Sequence, residues 1–256
     1  MKGSFRPFMY FYRMRTVFSF LPNLLTLFNL TCGFMAIGLA VTLPNPADHE
    51  SLVFTFQMMA WCMVASAIFD VFDGWAARAL KVTSAIGKDL DSLADVISFG
   101  VVPGIFCFLM MQSVWPDGWP LFPVFFGAAL IPALSALRLA RFNHDIRQTT
   151  DFFGVPTPFY GLLWMTLALH QSVEVSFLPV LLLWALSPML LADIRLFSLK
   201  GFQKKGQIRF SKRIWPMLFL LGLPLLWFIP GSWGIPLVLP WYALCSRAFF
   251  RNTMLS

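Results

Sequence analysis

Long apolar runs, separated by short polar or basic segments, organise this chain from end to end. The runs are Leu21–Leu43, Leu52–Phe72, Val96–Val114, Leu121–Leu137, Phe159–His170, Phe177–Leu191, Ile214–Ile229 and Gly234–Phe250. Most approach the ~20 residues that a helix needs to cross the hydrocarbon layer of a bilayer. The fifth is short, and Val155 to Pro158 extends it. Aromatic residues flank many of the ends, as interfacial anchors do. The pattern predicts an all-α, polytopic membrane protein with about eight transmembrane helices.

Composition agrees. Of the 256 residues 58% are hydrophobic and 12% charged, against about 25% charged in a soluble domain. That excludes a water-soluble globular enzyme and points to one domain whose helices pack within lipid. Cys32, Cys62, Cys107 and Cys245 sit singly inside apolar runs, without the spacing of a zinc site, and His49, His144 and His170 are scattered. Packing accounts for the cysteines, and an imidazole metal site has no support.

Charge adds orientation. All 19 Lys and Arg fall in alternate segments: the N-terminus, the stretch around Arg78 to Lys88, that around Arg138 to Arg147, Arg195 to Arg213, and the C-terminus. The intervening "PNPADHES", "WPDGWP", "QSVEVS" and "PGSWG" contain none. The positive-inside rule then places both termini in the cytoplasm, with the protein integral to the cell (inner) membrane. The net charge of +7 is read as a cytoplasmic skirt facing anionic headgroups, with no nucleic acid partner. Residues 1–20 interleave Arg with Phe and Tyr and suit an interfacial segment or a basic tail.

One stretch departs from this pattern. "DVFDGWAARALKVTSAIGKDLDSLAD", Asp70 to Asp95, holds five of the chain's 12 acidic residues at the edge of an apolar run. Asp70, Asp73, Gly74, Ala77 and Arg78 are spaced i, i+3, i+4, i+7, i+8 and lie along one helical stripe. Gly87, Asp91 and Asp95 are spaced by fours and share another; Asp89 points elsewhere. With "KVTSA" as the turn, an antiparallel pair brings Asp70, Asp73, Asp91 and Asp95 together. Four converging carboxylates repel one another and lose hydration, so a cation is required. Oxygen ligands without His or Cys suit Mg²⁺ or Mn²⁺, and two such ions can bridge carboxylates and a diphosphate. Gly74 and Ala77 either clear space for a substrate or admit a close helix neighbour.

Asp70-x2-Asp73-Gly74-x2-Ala77-Arg78-x8-Gly87-x3-Asp91-x3-Asp95 resembles the signature of the CDP-alcohol phosphatidyltransferases at every position. "LPNLLTLFNLTCGFMAI", "DSLADVISFGVVPG", "LRLARFN", "FFGVPTP" and, more weakly, "IRLFSLK" are similar to blocks of the integral-membrane phosphatidylserine synthases of bacteria and archaea. One departure is "PFYG" after Thr157, where small residues are expected.

The resemblance implies a six-helix catalytic core, often dimeric, over residues 21–200. Residues 201–256 would add a basic loop and two C-terminal helices. It implies transfer of the phosphatidyl group from CDP-diacylglycerol to L-serine, giving phosphatidylserine and CMP. By analogy Asp70, Asp73 and Asp91 hold metal, with Asp95 a further ligand and the candidate general base. Gly74 and Ala77 border the cytidine, Arg78 contacts phosphate and Gly87 completes the donor site. Asn23 and Thr26 reach the nucleotide or else serve helix capping and backbone hydrogen bonding in the first helix. For the serine carboxylate Arg138, Arg141, Arg195 and Lys88 are candidates, with Arg141 and Asn143 favoured because they follow the fourth span. The same signature admits glycerol phosphate, inositol phosphate or choline as acceptor. A cation-coupled carrier is the rival from another class, but neither inverted repeats nor broken helices stand out.

Overall fold

The computed structural model describes residues 20–42, 48–82, 84–114, 121–144, 152–170, 177–196, 222 and 234–254. They are almost entirely helical: α1 (Phe20–Val41), α2 (His49–Leu80), α3 (Ala85–Val96), α4 (Val102–Val114), α5 (Leu121–His144), α6 (Thr157–His170), α7 (Phe177–Ala185) and α8 (Gly234–Met254). A π-helical turn, Ile97–Val101, joins α3 to α4 without a break, and a 3₁₀ turn, Ser187–Leu190, follows α7.

Four helical stretches are long and apolar enough to cross a membrane: Phe20–Val41, Glu50–Leu80, Ala85–Gln112 and Val124–His144. They correspond to the first four predicted runs. The second apolar run ends at Phe72, and α2 continues to Leu80, as the helical stripe from Asp70 to Arg78 and the turn at "KVTSA" require. Charges lower hydropathy without disturbing backbone hydrogen bonds, so the helix continues while its polar stripe turns to the interior. The fourth was expected to stop at Leu137, but α5 continues to His144. The fifth and sixth runs appear as α6 and α7, of 14 and 9 residues, and the eighth as the 21-residue α8. The seventh run, Ile214–Ile229, lies outside the described residues apart from Gly222, as do residues 1–19.

The turn after α2 forms where "KVTSA" predicts it. Lys81 caps α2 in the left-handed region (φ 54°), with Val82 N–H donating to the Ala77 carbonyl at 3.0 Å. Ser84 opens α3, its Oγ accepting from Gly87 N–H at 2.9 Å. That is the reciprocal of the orphan donors at a helix start.

A small strand pair interrupts the all-α expectation. Phe152–Phe153 (β1) pairs antiparallel with Arg195–Leu196 (β2), so "FFGVPTP" and "IRLFSLK" meet in space. Gly154 makes the bend at φ +77°, with the Leu190 carbonyl where a Cβ would stand. The apolar core is aromatic. Phe56 of α2 meets Phe106 of α4 edge-on at 4.4 Å, and Phe106 meets Trp164 of α6 at 6.1 Å. Tyr160 Oη donates to the Leu183 carbonyl at 2.9 Å and ties α6 to α7. Large apolar side chains exposed around α1 and α2, such as Phe34, Phe54, Trp61 and Val71, form the lipid-facing surface expected of a spanning bundle.

Candidate active site

α2 and α3 carry the acidic stretch, and both pack against α1. They also meet directly where Asp70 of α2 stands beside Asp91 and Asp95 of α3. The cleft between them is a cavity of about 350 Å³. Pro22, Asn23 and Thr26 of α1 form one wall; Asp73, Gly74, Ala77 and Arg78 of α2 form a second. Gly87, Lys88 and Asp91 of α3 form the third, and Val82 and Ser84 of the turn close the end.

Of the eight signature positions, six therefore face one space. The other two, Asp70 and Asp95, stand beside Asp91: one carboxylate oxygen from each of Asp70, Asp91 and Asp95 lies within 4.8 Å of the others. Asp73 is placed differently from the expected cluster of four. Its Oδ2 accepts a 2.6 Å hydrogen bond from Thr26 Oγ1, which turns it toward α1 on the cavity wall. Asp95 is 5% exposed. The end of the Gly87, Asp91 and Asp95 stripe is thus buried.

The three atoms nearest a Cβ at Gly74 belong to the Arg78 guanidinium, at 3.4 Å and beyond, and Gly74 lines the cavity. Gly87 acts otherwise: a Cβ would stand 3.1 Å from Asn23 Oδ1 and 3.0 Å from Ser84 Oγ, so its absence lets α1 approach the start of α3. Asn23 and Thr26 lie inside α1, and both face the cavity; neither is a cap, but Thr26 Oγ1 also donates to the Pro22 carbonyl at 3.1 Å, the backbone hydrogen bonding that was the alternative.

The donor set fits a hard divalent cation. It consists of oxygen alone, on two helices, with the three carboxylates within 4.8 Å of one another, as the oxygen-only shells of such cations require. Asp70, Asp91 and Asp95 are the residues able to hold it.

The residues expected at the acceptor are spread. Arg141 is exposed on the last turns of α5 and lines neither this cavity nor the next. Asn143 Nδ2 donates to Ser92 Oγ at 2.8 Å and its carbonyl accepts from Lys88 Nζ at 2.9 Å. Asn143 borders a second cavity, of about 500 Å³, between α3 and α5. Lys88 borders both cavities. Arg195 is exposed in β2. Arg138 differs from all of these: it is 5% exposed, and its Nε has no hydrogen-bond partner among the described residues. Its guanidinium carbon lies 5.0 Å from the Phe142 ring centroid.

Three polar residues that the sequence reading passed over complete the site. Asn29 (α1), Ser66 (α2) and Ser98 (π turn) are all 0% exposed. Asn29 Nδ2 donates to Asp95 Oδ1 at 3.4 Å, Ser66 Oγ donates to Asn29 Oδ1, and Ser98 Oγ donates to the Asn29 carbonyl at 3.2 Å. Lone polar residues in apolar runs carry no periodic signal; their joint meaning appears only when three helices converge.

Comparison with known proteins agrees with this geometry. A family model described as CDP-alcohol phosphatidyltransferase matches residues 19–192. The CDP-diacylglycerol–serine O-phosphatidyltransferase of Bacillus subtilis (strain 168) is 31% identical over 150 residues, 59% of this chain and 76% of that one. The enzyme of the same name from Helicobacter pylori (strain 26695) is 35% identical over 146 residues, covering 56% of this chain and 54% of the relative. An archaetidylserine synthase from Methanothermobacter thermautotrophicus is 33% identical over 147 residues, 56% of this chain and 55% of that protein. The aligned part thus spans three quarters of the first relative and about half of the other two. The family match covers every residue of the acidic triad and of the cavity wall, and on it the chain belongs to the CDP-alcohol phosphatidyltransferase family, as an integral membrane enzyme of phospholipid synthesis.

Proposed function

We propose that the protein transfers the phosphatidyl group of CDP-diacylglycerol to L-serine, releasing CMP. The observation that carries this reading is the acidic triad, with Asp91 shared by the wall of a cavity that Gly74 and Ala77 keep open. The relatives' names supply the acceptor.

In this reading the cytidine lies along Gly74 and Ala77, where no side chain intrudes. Arg78 meets phosphate oxygens with a planar, bidentate donor. Thr26 holds Asp73 at the wall, and Asn23 faces the nucleotide. Asp70, Asp91 and Asp95, with Asp73 beside them, would hold a divalent cation, Mg²⁺ or Mn²⁺ and by the family analogy two ions, which would supply charge neutralisation at the diphosphate. Asp95 takes the proton from the serine hydroxyl, a poor nucleophile while it keeps that proton. The serine oxygen forms a bond to the phosphorus bearing diacylglycerol, the bridging P–O bond of the diphosphate breaks, and CMP leaves with the electron pair. Serine's carboxylate needs a cation, and Arg138 is a buried guanidinium whose Nε has no hydrogen-bond partner among the described residues. It displaces Arg141 as the first candidate. Asn143, with Lys88, then borders an approach on the α5 side.

The larger frame belongs to the same proposal. Residues 21–200 form a six-helix core, 201–256 a basic loop with two further helices, and the chain works as a homodimer. The Lys and Arg distribution puts the triad and both termini on the cytoplasmic side of the cell membrane, where water-soluble nucleotide and serine are found.

The test is CMP release by purified protein from CDP-diacylglycerol with Mn²⁺ and a panel of serine, glycerol phosphate, inositol phosphate and choline. Release with serine alone, abolished by EDTA and restored by Mn²⁺ or Mg²⁺, is the expected result. Release with another acceptor would reassign the acceptor, and full activity in chelator would remove the metal.

A further inference from the structure

Asn29 lies in the middle of an apolar helix, fully buried, where a primary amide needs partners for both its ends. It has them, and they come from different elements. Ser66 of α2 donates to the amide oxygen. Ser98 of the π turn donates to the Asn29 backbone carbonyl at 3.2 Å. The amide nitrogen then faces Asp95 Oδ1 at 3.4 Å. The opposite orientation of the amide would set its oxygen against a carboxylate oxygen, two acceptors with no proton between them. Ser66 and Asp95 together thus admit one orientation only.

The close approach this requires is built into α1. Gly33, one turn beyond Asn29, stands against the π turn, where a Cβ would lie 3.1 Å from the Ser98 Cα and closer still to its Oγ. Aspartate's terminal torsion is broad and roughly two-fold. Nothing in the side chain itself fixes the plane in which Asp95 presents its oxygens to Asp70 and Asp91. A single directional donor does so.

We propose that Asn29 is a positioning residue: its amide, oriented by the Ser66 hydroxyl, sets the plane of the Asp95 carboxylate within the Asp70–Asp91–Asp95 group. The proposal rests on the reading of that group as a metal and proton-transfer site, so its test separates the two. Partners of this kind behind metal-bound or catalytic groups typically account for 10–100-fold in affinity or rate.

The experiment is a double-mutant cycle on purified protein in detergent, combining Asn29→Ala with Asp95→Asn. Mn²⁺ affinity is read by EPR titration, and CMP release is read as kcat and KM for CDP-diacylglycerol. In the native background Asn29→Ala should lower kcat, Mn²⁺ affinity or both by about 10–100-fold, with KM for the donor within about two-fold. In the Asp95→Asn background the same change should cost less than about two-fold, because the group it acts through is gone. Ser66→Ala removes only the hydroxyl that orients the amide. It should give a smaller loss that also vanishes in the Asp95→Asn background, and Ser66→Thr should restore activity. If Asn29→Ala does not fold, the Ser66 cycle decides alone. Equal losses in both backgrounds, with native protein active and binding Mn²⁺, would overturn the positioning role and leave the proposed function standing. Native protein that neither binds Mn²⁺ nor releases CMP would overturn both.

Discussion

α2 passes through two interiors that differ in kind. Its first half enters an aromatic core in which Phe56, Phe106 and Trp164 meet edge to face. Its second half enters a polar layer in which Ser66, Asp70 and Asp73 meet Asn29, Thr26, Asp91 and Asp95. Within lipid the first gains nothing from escaping water, since the tails are as apolar as the side chains; it holds by shape and dispersion. The second borders a cavity, and where its polar groups are buried they are paired across helices, as Thr26 with Asp73 and Ser66 with Asn29. The aromatic core should tolerate any substitution that keeps volume, and the polar layer only those that keep the atom.

The largest effect should come from Asp91→Asn, which changes one oxygen to nitrogen at nearly constant volume. CMP release should fall by about 10³–10⁴-fold. The melting temperature in detergent should hold or rise, because like charges are relieved. Activity and stability falling together would erase the distinction between the two interiors. Trp164→Ala should do the reverse. Loss of this fully buried ring should cost about 3–5 kcal/mol of stability, while the protein that remains folded keeps its turnover within a few-fold. Gly33→Ala probes the border, since its new methyl group presses on the π turn that carries Ser98. Overpacking of this kind costs about 1–3 kcal/mol, and here both stability and CMP release should drop. The smallest effect belongs to Lys81→Gly, outside both interiors. It relieves a left-handed residue with a Cβ and should raise stability by about 0.5–1 kcal/mol with activity unchanged.

What the sequence disclosed follows the same division. The stripe of Asp73, Gly74, Ala77 and Arg78 and the stripe of Gly87 and Asp91 were legible because a 3.6-residue period survives in a short window. Both stripes line the cavity. Ser84 was legible as part of a turn because capping is local. Asn29, Ser66 and Ser98 were not, since their partners are 37 to 69 positions away. The seating of Asp73 on Thr26, 47 positions earlier, was hidden for the same reason. Arg138 and Arg141 have the same residue type and similar spacing to the end of the fourth run, yet one is buried and the other exposed. Hydropathy averages over that face-by-face difference. The β1–β2 pair was unreadable because two residues hold no alternation.

The π turn at Ile97–Val101 makes these two interiors compatible with one continuous rod. Each residue of an α-helix advances about 100° around the axis, and a π turn accommodates one residue more than an α turn. Angular phase is therefore reset between Asp95, which must face the triad, and Phe106, Cys107 and Met110, which are buried in the apolar core. Deleting a single residue there would leave the composition of both halves intact and swing one of them by roughly a quarter of a revolution away from its neighbours. The chain thus keeps an acid-bearing end and a greasy end on the same axle, each pointed at its own surroundings, by inserting one residue between them.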